Sequence, residues 1–436
     1  MSKVINKRLL NAVLLLYHHP LRLGAPTVME YVNAFGEHSR FPILAINTEL
    51  GLPAFLRNYR FKCILMHYSI FGTWPYEFNE QFYEYLTDSR ESYKVAIFQD
   101  EYRYCQPRFH FINKYNIDCV YTCLAEKDIA DFYGKYTRAS RVISVLTGYV
   151  SEKMLALAHR FALPDEQRRI DIGYRGRPLP FYMGKGAQEK VQIAEGFLAR
   201  AASLDLNLDI KTTEADRIYG PAWYEYLANC RGVLGVESGV SFCDVEDRAK
   251  PEVEALLLAN PAVTFDEVYE KVLVKYEDHI PIRTISPRHF EAAALRVCQI
   301  LFEGEYGGIL KPMLHYIPLK KDFSNFDEVI AAFTSPEIRN RITQTAYQDL
   351  IASGKYSYRT LVGHFDDLML EAGLTPGEDR AIMAKLQARY TEEQKWRTIL
   401  KTTGDGIRYS AFIQKRIKPL VRPIMIKAGI IRPEAK

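Results

Sequence analysis

The sequence predicts an α/β protein of two doubly wound parallel sheets followed by a helical extension. Three observations carry that expectation. Short apolar runs alternate with helix-period segments over the first part of the chain, the pattern of parallel strands joined by crossover helices. The alternation restarts after a polar stretch at residues 162–169 (ALPDEQRR). From Ser335 onward the pattern is helical throughout. At 436 residues, 48% of them hydrophobic, the chain has ample core for two or three domains. The expected divisions are 1–163, 164–334 with a helical insertion at about 241–280, 335–406, and a basic amphipathic tail at 407–436.

Composition excludes several classes. A net charge of +4 is too small for this length to argue for nucleic acid as a partner. Seven scattered cysteines without a CxxC pair point to a reducing compartment, and to neither a disulfide scaffold nor a zinc site. No run approaches the ~18 apolar residues of a membrane span. Lys3, Lys7 and Arg8 precede NAVLLLY, an apolar run too short for a signal peptide. A GxxxxGK[ST] phosphate loop is absent, and Gly184-Lys185-Gly186 lacks the third glycine of a dinucleotide fingerprint. The expectation is a soluble cytoplasmic protein with no metal and no cofactor.

In the first half, Asn11–Leu16 reads as a buried strand opening into a loop at Tyr17-His18-His19-Pro20. Thr27 can cap the helix TVMEYVNAF. Further strand-like runs occur at residues 41–46, 62–67, 93–99, 117–122 and 141–146, with helical patterns such as EFNEQFYEYL and AEKDIADFYG between them. Ligands of such sheets bind beyond the carboxyl ends of the strands. The residues there are His18 and His19, His67 and Tyr68, and Asp100 and Glu101. They form the candidate acceptor wall, with Asp100, Glu101 or His18 as a general base. Asp100 and Glu101 equally suit the capping of a helix start, and a histidine after a strand suits a plain loop.

In the second half, RIDIGYRGR (169–177) reads as a strand entering a Gly–Arg turn, followed by Lys185 and the helix AQEKVQIAEGFLARAASL. RGVLGVESG (231–239) reads as a strand ending at Glu237, Ser238 and Gly239, where small residues let a ligand approach the backbone. Residues 241–280 are helical and acidic, including Asp244, Glu246 and Asp247, and read as an insertion with a solvated face. Ser286 then supplies a helix N-cap and Pro287 a first-turn proline. A helix start offers free N–H groups and partial positive charge to a phosphate. Arg288 adds a full charge, and Glu291 shares the face of Pro287 roughly 6 Å along the axis, about the span from phosphate to ribose. A carboxylate so placed can accept hydrogen bonds from ribose hydroxyls. A capped surface helix with an Arg288–Glu291 pair is the other reading. Cys298–Phe302 is a further buried strand, and Asn325 with Glu328 suggests a capping box.

The stretch SPRHFEAAALRVCQIL resembles the signature region of GT-B glycosyltransferases of the group-one type, and HYIPLKKDFSN adds to the likeness. The resemblance covers most of residues 10–330 and is to a branch found among polysaccharide-assembly enzymes. It implies two Rossmann-like domains, with the donor's nucleotide held on the helix that Glu291 marks. It also implies that Arg177 and Lys185 face the donor diphosphate; a glycine-rich loop with solvated basic residues is the alternative. Two positions depart from the family pattern. Retaining members carry a glutamate eight positions before the second, where this chain has Arg283, and a glycine follows the small run where this chain has Arg296.

The implied activity is transfer of a sugar from a nucleotide-diphosphate donor to a hydroxyl of a glycan or lipid-linked glycan, without a metal. Ser286, Arg288, Glu291, Arg177, Lys185, Ser238 and Gly239 would bind the donor. A sugar-nucleotide epimerase on the same architecture and a catalytically silent sugar or nucleotide binder are the alternatives. From Arg408 the tail holds eight Lys or Arg against one acid, and it mixes them with Phe412, Ile413, Ile417 and Leu420. That composition suits peripheral attachment to an anionic membrane at its inner face, and equally a tail packed on the first domain.

Overall fold

A computed structural model describes residues 7–21, 26–277 and 279–409. The first sheet holds β1 (Arg8–Tyr17), β2 (Ile43–Asn47), β3 (Tyr59–Met66), β4 (Tyr93–Ile97), β5 (Cys119–Thr122) and β6 (Arg141–Ser144). Their order is β2-β1-β3-β4-β5-β6 and every neighbouring pair is parallel. From Ala12 to Tyr17 β1 is a continuous apolar run because both faces are covered. Val13 and Leu15 pack beneath helices Pro26–His38 and Tyr358–Glu371, while Leu14 and Leu16 enter a second core on the opposite face.

The second sheet is built from β7 (Ile170–Arg175), β8 (Leu208–Lys211), β9 (Cys230–Gly235), β12 (Cys298–Phe302) and β13 (Ile317–Leu319). Its order, β13-β12-β9-β7-β8, is again wholly parallel. Between β9 and β12 a short antiparallel pair intervenes, β10 (Ser238–Val240) with β11 (Ile282–Thr284). The run at 231–239 is therefore two strands. Helices Lys185–Ala201 and Phe326–Thr334 cover one face of this sheet through Ile193, Phe197, Phe326 and Phe333. Asn325 begins the second of these helices without the expected box. Its side-chain oxygen accepts from Lys320 N and its amide donates to Pro318 O, so neither is left for the helix.

Residues 241–280 carry helices Ala249–Ala259 and Phe265–Lys271, and they join the two halves. Asp247 accepts hydrogen bonds from Cys105 N and Gln106 N, both at 3.0 Å, and so caps helix Cys105–Lys114 of the first half. Val240, Cys243, Ile280 and Ile282 enter the same core as Leu14, Phe98 and Phe109. Helix Arg380–Tyr409 returns to the first sheet, where Tyr390 OH accepts from Asn47 N at 2.9 Å. Residues 410–436 of the basic tail lie outside the described residues. Among the described residues no helix is long and apolar enough to cross a membrane.

Helix Tyr358–Glu371 is tied down by buried Asp366, which accepts from Ser39 Oγ and Arg40 N, each at 2.6 Å. Asp366→Ala leaves both donors without their acceptor beneath an apolar face. Its expected cost is about 2–3 kcal/mol, read as a lower urea midpoint followed by tryptophan emission and far-ultraviolet dichroism.

Candidate functional site

A cleft of about 240 Å³ opens at the carboxyl ends of β7 and β9 and at the start of helix Pro287–Ala294. This is where an open parallel sheet places its ligands. Ser286, Arg288, Arg177 and Ser238 line it, together with Lys190, Trp223, Tyr226 and Glu237. Ser286 is the N-cap, its Oγ accepting from Arg288 N at 3.3 Å, and Pro287 is the first helical residue. Gly148 packs against Pro287, and Thr147 Oγ1 donates to Ile285 O at 3.1 Å, so the first half touches the helix start directly.

Cations dominate the lining. Arg175 is neutralised by Asp209 at 2.7 Å, and Arg217 by Glu214 at 2.6 Å. Among the described residues Arg177, Lys190 and Arg288 make no ion pair. Arg288 stands 5.1 Å over the Trp223 ring and donates to Arg175 O, leaving its charge uncompensated. Burial, followed by the Arg288 and Arg177 guanidiniums, pushes the Lys190 amine down to about 8, with Asp100 opposing the shift. Three unpaired cations and a capped helix start suit a polyanion.

The remaining predicted residues are placed differently. Lys185 is exposed, its Nζ 3.9 Å above the Tyr269 ring and away from the cleft lining. Lys190, one and a half turns further along the same helix, holds the inward position. Glu291 is not in the cleft lining; the Trp223 indole N–H donates to it at 2.6 Å, and Tyr224 OH lies at 3.5 Å. Burial raises its carboxyl above the usual range, and the Trp223 bond works against that. Gly239 (φ +105°) is not in the lining. It pairs with Arg283 in the β10–β11 ladder, where a side chain would strike Ile282 O. Arg296 adopts φ +52°, a conformation that glycine takes without strain, and its guanidinium lies 3.8 Å over Tyr347.

In the first half, Asp100 follows β4 in the left-handed region (φ +52°), exposed, and its charge favours the protonated Lys190 amine. Glu101, the next residue, turns inward and is fully buried. It accepts from Thr122 Oγ1, Cys123 N and Tyr133 OH, and burial pushes its carboxyl up. Its bonds are structural, and neither residue caps helix Cys105–Lys114. His18 stands 4.0 Å from Glu49 and 3.9 Å from Glu77, and burial lowers its basicity against both carboxylates. His67 is fully enclosed and pushed down to about 3, which keeps it neutral.

Sequence reasoning passed over Lys190, Trp223 and Tyr226. A signal for Lys190 was present. It lies three residues from both Ala187 and Ile193, in the inward stripe of an amphipathic helix, where a lysine has no ordinary reason to be. Among the described residues no group of three or more His, Cys, Asp or Glu side chains could hold a metal ion.

No family model matches the sequence and no curated protein matches it. Among solved structures it is similar to TarM, at 10% identity over 72% of this chain and 55% of that one, with a TM-score of 0.41. The Anabaena protein Alr3699/HepE, solved with UDP and glucose, shares 9% identity over 83% of this chain and all of its own, at a TM-score of 0.43. An alpha-glucosyltransferase solved with UDP shares 9% over 83% of this chain and 99% of its own, at 0.47. The chain thus spans about half of TarM and nearly the whole of the other two. Likeness at this level concerns fold, and what the chain does has to come from its own residues.

The Lys190 amine also sets a pH dependence. Its value is 10.5 ordinarily and about 8 in the fold. Below about pH 8 both folded and unfolded chains hold the proton, and the half-buried charge costs stability. Between about 8 and 10.5 the folded state releases it first, so stability rises with pH. Lys190→Met is expected to be more stable than the natural protein by roughly 1–3 kcal/mol at neutral pH. The gain should shrink toward zero by about pH 10.5, as denaturant midpoints measured across that range would show.

Proposed function

We propose that the protein is a glycosyltransferase that moves a sugar from a nucleotide-diphosphate donor to a hydroxyl of a glycan or lipid-linked glycan. The observation that carries the reading is the convergence of Arg177, Lys190 and Arg288 on one helix N-terminus at the carboxyl ends of the second sheet. In this reading the diphosphate lies against Ser286 and the three cations. As the glycosidic bond to the diphosphate breaks, negative charge grows on the departing oxygen. Cations already fixed around it stabilise that charge without reorganising. Trp223 and Tyr226 form the wall where the nucleoside lies. Glu291, which accepts from the Trp223 indole N–H, orients the ring within that wall. Asp100, exposed on the first-half side, its charge favouring the protonated Lys190 amine, is the best placed of the predicted bases to take the acceptor's proton in an inverting transfer.

The lipid-linked form of the acceptor draws support from helix Arg380–Tyr409. Trp396 and Ile399 are 65% and 51% exposed on it, just ahead of the basic segment. Removing residues 407–436 is expected to reduce sedimentation with anionic liposomes several-fold at low salt and to leave neutral liposomes unaffected. Equal sedimentation of both forms would remove the membrane from the reading.

Binding of UDP, GDP, dTDP and CDP and their sugar conjugates tests the donor site. One nucleotide series should bind. Arg177→Ala and Lys190→Met should each lower turnover about tenfold or more, and affinity for the nucleoside monophosphate much less. Glu291→Ala should weaken donor binding by about 1.5–3 kcal/mol. A folded wild type that binds every donor weakly and alike would end this reading. Tight binding with neither hydrolysis nor transfer would leave a silent binder.

A further inference from the structure

One acid stands among the cations. Of the described residues lining the cleft, Glu237 alone bears a carboxylate, and its side chain is only 5% exposed. Each oxygen has a fixed donor. Oε1 accepts from Tyr306 N at 2.8 Å and Oε2 from Arg283 Nε at 3.1 Å. Arg283 is braced in turn by Glu189 at 2.6 Å, which also holds Lys321 at 2.8 Å. The two positive and two negative groups balance, so Glu237 does not serve to neutralise the unpaired cations. Gly304 makes room for it, since a Cβ there would stand 2.6 Å from Oε2. A carboxylate buried, braced and given space in the lining of a cationic cleft is suited to receive something other than an anion.

We infer that Glu237, held by Arg283 and Tyr306 N, accepts hydrogen bonds from ring hydroxyls of the transferred glycosyl group and selects a neutral sugar over an anionic one. The inference rests on the donor reading above. The chemistry follows from hydrogen-bond inventory. An ionised carboxylate has about four acceptor sites and no donor. Two are taken by fixed N–H groups, and the others suit hydroxyls that can only gain by donating. A sugar carrying its own carboxylate would bring like charge to the same point and meet repulsion. Arg283 acts through Glu237 as a positioning residue.

The test compares bare nucleoside diphosphates with their neutral-sugar and uronosyl conjugates by calorimetry and steady-state kinetics on the full chain. Wild type should bind the neutral-sugar conjugate more tightly than the bare diphosphate, and the uronosyl conjugate no more tightly than the bare one. Glu237→Gln should bind the bare diphosphate within about twofold of wild type. It should lose about tenfold or more of affinity for the neutral-sugar conjugate, with KM raised more than kcat is lowered, and should discriminate less against the uronosyl form. Deoxy-sugar nucleotides give a second measurement on the unaltered protein, and at least one should lose about tenfold. Glu237→Gln retaining the full sugar contribution, or every deoxy analogue binding like the parent, would overturn the assignment while leaving the donor site standing. A wild type that binds no nucleoside diphosphate would take both down together.

Discussion

Crowding like charges into a half-closed cleft costs free energy, and the second sheet is arranged around meeting that cost. Arg177, Lys190 and Arg288 repel one another across a space too small for water to screen them fully. Most of the nearby acids stand outside the lining: Asp209 holds Arg175, Glu214 holds Arg217, and Glu189 holds Arg283 and Lys321. Of the described lining residues Glu237 alone is an acid, and it is paired with Arg283, so the net charge facing the cleft is positive. Burial, and after it the charges of Arg288 and Arg177, depresses the basicity of Lys190. An anion entering the cleft relieves the same repulsion that the empty site sustains.

The two sheets are joined more firmly than a linker between domains would join them. Interfaces between domains of one chain are commonly polar and modest in size. Here Val240, Cys243, Ile280 and Ile282 of the second half share a hydrophobic core with Phe98 and Phe109 of the first. Polar links run alongside. Gln99 Nε2 donates to Thr147 O at 2.8 Å, and Thr147 in turn reaches Ile285. The segment that presents Asp100 is thus coupled to the helix start that presents Ser286. Positioning an acceptor against a donor requires that kind of fixed relation.

Much of this was legible in the sequence because the signals are local. Buried parallel strands read as apolar runs, and Ser286-Pro287 carries its own capping chemistry. What escaped depends on contacts distant in sequence. β10 and β11 are three residues each and exist because each pairs with the other across the 241–280 insertion. Asn325 has the composition of a capping box, but Lys320 and Pro318 claim its side chain. Asp100 and Glu101 look interchangeable in IFQDEY, yet one residue's shift sends the first outward and the second into a nest of donors. Lys185 beside Gly186 attracts attention through a familiar dipeptide. The inward face of the helix, set by its packing on β7 and β9, belongs to Lys190.

The covering of the first sheet has a bearing on how the chain is made. One face of β1 is closed by helix Tyr358–Glu371, and the other receives Met383, Leu386 and Tyr390. Asn11, near the start of the chain, takes hydrogen bonds with Thr375, Glu378 and Asp379. A ribosome adding ~5–20 residues per second needs roughly twenty seconds to a minute between emergence of β1 and of those partners. For that interval the nascent first half holds an apolar sheet without its lid. β1 is made long before its cover is complete, and its safe passage depends on whatever shields that surface during synthesis.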